Sequence, residues 1–224
     1  MNGLFSLDSK LMQYLGLVAD MMIVNILFLL CCIPIVTIGP ALSGLYASMR
    51  QLADKEDDNS NIKAFFKGFK NGFAQICAAN LIMMVIDGIL AYTILMCISY
   101  ADSGVFVHWM YPVIAAVPVL ILHSLMPVFH SQFSCTFSQL FRNVWILMIT
   151  HPLHALITGI LTWLPAGLFL FAPDLFVRSS MILLTVYFSL SSYAIVLLFR
   201  KSFKKLIDNF YSESEAQDEE TEEK

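Results

Sequence analysis

The sequence predicts an all-α, polytopic membrane helix bundle with about five transmembrane helices and an interfacial amphipathic helix in its first cytoplasmic loop. The chain has 224 residues, of which 58% are apolar and only 13% are charged, whereas soluble domains are typically about 45–50% apolar and about 25% charged. The apolar residues lie in blocks close to the roughly 20 residues with which a helix crosses about 30 Å of hydrocarbon. This composition excludes a soluble globular enzyme, and the net charge of −4 argues against a nucleic-acid-binding protein.

Five apolar blocks account for the predicted crossings, and residues 1–210 are expected to form one transmembrane helical domain. A segment that crosses lipid must satisfy its own backbone hydrogen bonds, which favours helices, and no block has the polar–apolar alternation of a barrel strand. No basic segment precedes the first block apart from Lys10, so we expect a retained helix rather than a signal peptide. The blocks cover residues 14–39, 74–99, 107–130, a part of 143–172, and 181–199.

The fourth block has two interpretations, because Pro152 interrupts it and proline ends or kinks a helix. Thr136 and Gln139 fit a capping box, which starts a helix ahead of the block. One interpretation is a helix over 136–150 that lies partly at the membrane interface, followed by a crossing over 152–172. The other is two separate crossings. We favour the first, because 136–150 is short for a crossing and because two crossings would spoil the charge distribution.

The basic residues predict the orientation of the bundle, since lysine and arginine in short loops favour the cytoplasmic side. With five crossings, the first loop, the third loop and the C-terminal tail lie on one side and hold eleven basic residues. The other side holds two, Lys10 and Arg178. The sequence therefore predicts a multi-pass protein of the cell membrane, with the N-terminus outside and the C-terminus in the cytoplasm.

The first cytoplasmic loop contains a candidate interfacial helix. Its phenylalanines recur every four residues and lysines flank them, a pattern typical of a helix on an anionic membrane surface. The same pattern suits the docking of a cytoplasmic partner, and both interpretations stay open. The residues concerned are Lys63, Phe65, Phe66, Lys67, Phe69, Lys70 and Phe73.

Residues 211–224 form a candidate disordered, acidic C-terminal tail. Its last 13 residues, SESEAQDEETEEK, hold seven acids, one lysine and no large apolar residue. Such a composition cannot bury enough apolar surface to offset the entropy of ordering. We interpret the segment as a solubilising tail, with a specific recognition tail as the alternative.

Three polar residues in the predicted spans, Asp20, Asn25 and Asp87, form a candidate intramembrane polar site. An acid at a helix centre costs on the order of 2.5–3.5 kcal/mol on insertion scales, so Asp87 is expected to face the bundle interior. No lysine or arginine lies mid-span, which leaves this acid protonated or hydrogen-bonded to Asn, Ser or His. Two interpretations remain: a proton- or substrate-handling site, and polar contacts that hold helices together.

The end of the first block carries the pattern Asn25-x8-Pro34-Ile-Val-Thr37-Ile-Gly39-Pro40-Ala41. Pro34 and Gly39-Pro40 are expected to break the helix, and broken helices are tolerated in membranes only where protein or water satisfies the freed backbone. Thr37 is a candidate cap for the following helix. Small residues then repeat every four positions, which permits close helix approach. Structural packing and a ligand-facing broken helix are the alternatives.

This segment resembles the N-terminal signature of the YesL-like bacterial integral membrane proteins, a family with a domain of unknown function. Tyr46 in the following small-residue helix and the stretch FFKGFKNGFAQ are similar to the family as well. Met126-Pro127-Val-Phe129 and Arg200-x-x-Phe203-Lys-Lys extend the likeness to about residue 210. Members are often encoded beside carbohydrate uptake systems. The resemblance thus implies an accessory or regulatory membrane component, with the lipid bilayer and an ABC-type sugar transporter or membrane sensor as partners.

Two function classes remain open at the level of the sequence. The first is a non-enzymatic accessory protein of carbohydrate uptake; the alternative is a small substrate-binding transporter or transporter subunit with a polar cavity at Asp20, Asn25 and Asp87. We expect no enzyme, because the chain has no nucleophile elbow, P-loop or dinucleotide fingerprint. We also expect no cofactor and no metal, since the five cysteines include no C-x-x-C pair.

Overall fold

The computed structural model describes residues 10–54, 61–99, 107–133 and 136–204, and within these ranges all regular secondary structure is helical. The predicted disordered tail, 211–224, lies outside the described residues. The helices are α1 Lys10–Cys31, α2 Ile38–Asp54, α3 Asn61–Lys70, α4 Phe73–Ser99, α5 Val107–His130, α6 Phe137–Thr150, α7 Pro152–Phe171 and α8 Pro173–Lys204; a 3-10 turn, Ile35–Thr37, precedes α2, and α8 contains a π-helical turn at Leu183–Tyr187.

Four helices of the described ranges are long and apolar enough to cross a membrane, where the sequence predicted about five. They are the segments Phe73–Cys97, Tyr111–His130, Pro152–Phe171 and Pro173–Lys204, which belong to α4, α5, α7 and α8. The apolar part of α1, Leu15–Cys31, is shorter. Many apolar side chains of these helices are exposed, including Ile89 in α4 and Ile114 in α5, as expected for surfaces that face lipid.

The first predicted crossing, 14–39, is not one helix, because α1 ends at Cys31 and the chain reverses direction before α2. Proline lacks a backbone N–H and disfavours helical geometry in the residue before it, which explains the break at Pro34. Asn61 contacts both helices at similar distances from this break, at the middle of α1 and in the second half of α2. Its side-chain amide donates to Asp20 Oδ2 at 3.2 Å, and its carbonyl accepts from Ser48 Oγ at 2.8 Å. The two helices therefore form an antiparallel hairpin.

Thr37 was predicted to cap the helix that follows it, and this prediction is wrong. Its hydroxyl lies 2.6 Å from the carbonyl oxygen of Cys31 and 2.7 Å from that of Pro34. The last carbonyls of a helix have no partner within the helix, so this threonine stabilises the end of α1 instead.

The central element of the fold is α2, in which ten of 17 residues are buried. It contacts α1, α3, α4 and α5. The predicted role of its small residues is confirmed: a β-carbon on Gly39 would lie 2.7 Å from the Asn80 β-carbon in α4. On the α3 side, a β-carbon on Gly68 would lie 2.6 Å from that of Ala47. These helices approach so closely because the contact positions lack side chains.

The fourth apolar block divides at Pro152 into α6 and α7, a break that both interpretations of the sequence contain. A capping box starts α6, with the Thr136 backbone N–H donating to Gln139 Oε1 at 2.9 Å. Pro152 separates the two helices. The indole of Trp163 in α7 donates to the carbonyl of Leu120 in α5 at 3.0 Å, and Gly159 lies against Ile121. Thus α7 is antiparallel to α5 and begins at the level where α5 ends.

One end of the bundle, which we call the basic end, collects the C-terminal ends of α2, α3, α5 and α8. Arg50 near the end of α2 donates to the side-chain oxygen of Gln132, just after α5. Arg200 of α8 forms an ion pair with Asp54, the last residue of α2, at 2.9 Å. The first loop, the third loop and the end of α8 therefore share one end, as the charge distribution predicted.

Candidate functional site

Asp87 is the acid nearest to the middle of a described membrane-crossing segment, and it pairs with His123. The carboxylate oxygen Oδ2 lies 2.5 Å from His123 Nδ1, and the other ring nitrogen, Nε2, lies 3.0 Å from Asn80 Oδ1. Both ring nitrogens thus lie within hydrogen-bond distance of an oxygen atom. The sequence offered histidine among the candidate partners. The contact joins α4 to α5 across the bundle interior.

Two further side chains, Met84 and Trp163, contact this polar cluster. Asn80 donates to Met84 Sδ at 3.4 Å, which orients its oxygen towards the histidine. The indole of Trp163 packs edge-on against the His123 ring, with 5.6 Å between ring centroids. Asp87 Oδ1 is buried and has no hydrogen-bond partner in the described part of the chain. The cluster is a buried interhelical contact with one unsatisfied oxygen.

Asn25 has a different role, because it stabilises the π-helical turn of α8. The side chain is fully buried. Its amide nitrogen donates to the carbonyl of Leu184 at 2.7 Å, and its oxygen accepts from the Ser189 backbone N–H at 3.0 Å. A π turn interrupts the regular i to i−4 hydrogen bonds of a helix. In a bundle interior the interrupted groups need another partner, and Asn25 supplies it.

Replacement of Asn25 by leucine is expected to lower the unfolding free energy by about 1–2 kcal/mol, since interhelical hydrogen bonds in membranes contribute about 0.6 and at most about 1.7 kcal/mol each. Thermal unfolding of the purified protein in detergent measures this change. Thr93→Val is the matched control, because the Thr93 hydroxyl bonds only to Ile89 of its own helix. Equal melting temperatures for both variants would contradict a stabilising role for Asn25.

The structure does not gather Asp20, Asn25 and Asp87 into one polar site. Asp20 is bonded to Asn61 at the start of α3, whereas the other two contact α8 and α5. Each polar group is thus engaged by a different pair of helices. Pro34 is exposed at the break between α1 and α2, while Gly39 and Pro40 are buried.

The segment for which an interfacial helix was predicted is helical and forms α3, and one of its phenylalanines packs inward. Phe65 is fully buried, and a β-carbon on Gly44 of α2 would lie 2.7 Å from its carbonyl oxygen. Phe66 and Phe73 are more than one third exposed, and Phe69 stacks between Phe65 and Phe73. The lysines of the helix are exposed, and they line a cavity.

This basic cavity has a volume of about 1240 Å³ and lies at the basic end of the bundle. Six basic residues and one acidic residue line it within the described ranges. The acid, Asp54, is paired with Arg200, and Arg200 also donates to the carbonyl of Ala53 at 3.3 Å. The basic residues are Arg50, Lys63, Lys67, Lys70, Arg200 and Lys204. The cavity therefore carries a large excess of positive charge.

The sequence predicted a membrane surface or a docking partner for the lysines of α3, and it did not predict this cavity. A signal was present, because the cavity residues come from the segments that the charge distribution placed on one side. That signal predicts the side of the membrane on which these residues lie, but not how close they are to one another. Only the folding of α3 onto α2, and of α8 beside them, brings the positive charges together.

The fold and the composition indicate a helical, multi-pass membrane protein, with a basic cavity at one end of the bundle. Residues 21–94 match the model of a family described as "Protein of unknown function, DUF624". The matched segment begins in α1 and ends in α4, so it contains the α1–α2 hairpin, α3 and Asp87. No curated protein and no solved structure matches the chain.

Proposed function

We propose that the protein is a non-enzymatic accessory or regulatory component of carbohydrate uptake in the cell membrane, bound to an ABC-type sugar transporter or a membrane sensor in the plane of the bilayer. The bundle crosses the membrane four times in this proposal, with the basic end in the cytoplasm. Both termini then lie on the cytoplasmic side, because the α1–α2 hairpin returns to the end where it starts. This replaces the expectation of an N-terminus outside.

One observation favours an accessory protein over a transporter. The polar side chains within the helices are engaged in separate contacts: Asn25 with α8, Asp87 with His123, and Asp20 with Asn61. A transporter needs a polar binding site near the membrane centre, where opposed helices can rearrange around it. The basic cavity of the described residues lies at one end of the bundle instead. The link to carbohydrate uptake is supported by the resemblance described above.

Chemical crosslinking in native membranes tests this proposal. An amine-reactive, membrane-permeant crosslinker is expected to join Lys63, Lys67 or Lys70 to a subunit of a sugar transporter or sensor, since these side chains are exposed at the basic end. Mass spectrometry of the crosslinked peptides identifies both ends. Crosslinks confined to the protein itself, with the protein present in the membrane, would overturn the proposal.

Two variants control the experiment. The triple variant Lys63→Arg, Lys67→Arg, Lys70→Arg keeps the charge but removes the reactive amines, so the crosslinks should disappear while the partner still copurifies. Arg178→Lys places a reactive amine on an exposed position near the start of α8, at the other end of the bundle. It should not crosslink to a cytoplasmic subunit.

A further inference from the structure

We propose that the basic cavity is a binding site for a phosphate-bearing anion, supplied by a soluble phosphorylated compound or by the headgroup of an anionic lipid. The inference does not depend on the proposed transporter partner. It rests on the charge of the cavity, on the way its arginines are held, and on a lysine whose position α3 itself disfavours.

Most of the positive charge of the cavity has no counter-ion among the described residues. Arg200 has Asp54 as its counter-ion, but Lys63, Lys67, Lys70 and Lys204 form no hydrogen bond or ion pair with any described residue. Clustered positive charges repel one another and raise the local concentration of anions. An anion with several oxygen atoms accepts hydrogen bonds from several ammonium groups at once, and such charge-assisted bonds are among the strongest in proteins.

Contacts with other described residues hold the two arginines of the cavity in place. The guanidinium of Arg50 donates to Gln132, and that of Arg200 is held by Asp54 and by the carbonyl of Ala53. Each of these contacts uses one or two of the five N–H groups of a guanidinium. The remaining donors keep the planar fork that matches a phosphate. A ligand then meets arginines whose side chains are already ordered.

Lys63 lies at a position in α3 that is unfavourable for a positive charge. Cations stabilise the C-terminal end of a helix and destabilise its N-terminal end. Lys67 and Lys70 lie in the last turn of α3 and suit that rule. Lys63 lies in the first turn, where no acidic residue is present. Within the described residues, helix stability accounts for Lys67 and Lys70 but not for Lys63, and an anionic ligand accounts for its position.

The cavity is also large and firmly framed. Its volume of about 1240 Å³ exceeds the roughly 300–1,000 Å³ of most small-molecule pockets, so a phosphorylated sugar or a lipid headgroup fits. The contact of Gly68 with Ala47 holds α3 against α2 and fixes the lysines relative to Arg50.

Two binding measurements on the full-length protein test the proposal. In the first, inorganic pyrophosphate is titrated by calorimetry into the protein in phosphatidylcholine nanodiscs, at constant ionic strength. In the second, the protein is taken from nanodiscs that contain phosphatidylglycerol, and native mass spectrometry counts the retained lipid. We expect binding in at least one measurement. Pyrophosphate alone identifies a soluble ligand, phosphatidylglycerol alone identifies a lipid, and either result supports the phosphate site.

The control variants separate the cavity from general surface charge. Lys63→Gln with Lys67→Gln should weaken the observed binding by about tenfold or more, because hydrogen bonds between charged groups are lost. Lys204→Gln should weaken it as well. Lys201→Gln changes the same charge on the same helix, but Lys201 is exposed and does not line the cavity, so binding should change less than about twofold. Loss of equal size in Lys201→Gln, or no binding in either measurement, would overturn the proposal.

Discussion

Replacement of His123 by leucine is expected to lower the unfolding free energy by about 3–5 kcal/mol, because removal of one partner from a buried ion pair leaves the other charge without compensation. The carboxylate of Asp87 would lose its contact at 2.5 Å, and its second oxygen already has no partner among the described residues. Asn80 would lose its contact with the ring as well. Thermal or denaturant-induced unfolding in detergent measures the loss.

A double-mutant cycle distinguishes a structural contact from a proton-handling site. The double variant Asp87→Leu, His123→Leu removes both charges, and replacement of a buried pair by apolar residues is often neutral or stabilising. We therefore expect it to be more stable than His123→Leu alone, with a strongly non-additive interaction energy. If the pair only joins α4 to α5, the double variant also keeps the crosslinks that the proposed function predicts.

Two other results would contradict a purely structural role for Asp87 and His123 or the contact between them. A double variant that folds like the wild type, yet lacks crosslinks that the wild type forms with a partner, would assign a functional role to the pair. A single variant His123→Leu as stable as the wild type would contradict the ion pair itself. The matched conservative change is Asp87→Asn, which keeps an oxygen that can accept the hydrogen bond from His123 Nδ1.

Local features of this fold could be predicted from the sequence because each has a short-range cause. Pro34 ends α1 since it lacks an N–H, and Thr136 with Gln139 starts α6 through neighbouring backbone groups. The division of the fourth block at Pro152 has the same kind of cause. Hydropathy likewise identified the segments that α4, α5, α7 and α8 occupy, since long apolar runs suit a membrane-crossing helix.

The direction of α1 and the composition of the sites could not be predicted in this way. Hydropathy measures how apolar a segment is, but it does not say whether the chain crosses the bilayer or returns. The partner of Asn25 is a π-helical turn more than 150 residues later in the chain, and no local sequence pattern predicts this contact. The basic cavity likewise needs α2, α3 and α8 together, and the orientation rule specifies a side of the membrane rather than a cavity.

Replacement of Gly44 by valine tests the contact that builds the basic cavity, and we expect a loss of about 3 kcal/mol, the upper part of the range for overpacked cores. A β-carbon at this position would lie 2.7 Å from the backbone oxygen of Phe65 and 3.3 Å from its ring. The obstruction is backbone, so α3 must move away from α2 rather than adjust a side chain. Thermal unfolding in detergent measures the loss.

The controls are glycines with free space around them. Gly16→Ala and Gly88→Ala meet no atom within 4 Å of the added β-carbon, and alanine favours a helix over glycine by about 0.5–1 kcal/mol. These two variants should unfold at or above the wild-type temperature. Because α3 carries Lys63 and Lys67 into the cavity, Gly44→Val should also weaken the binding of pyrophosphate or phosphatidylglycerol. A variant that loses stability but keeps that binding would mean that α3 holds its lysines in place without the close contact to α2.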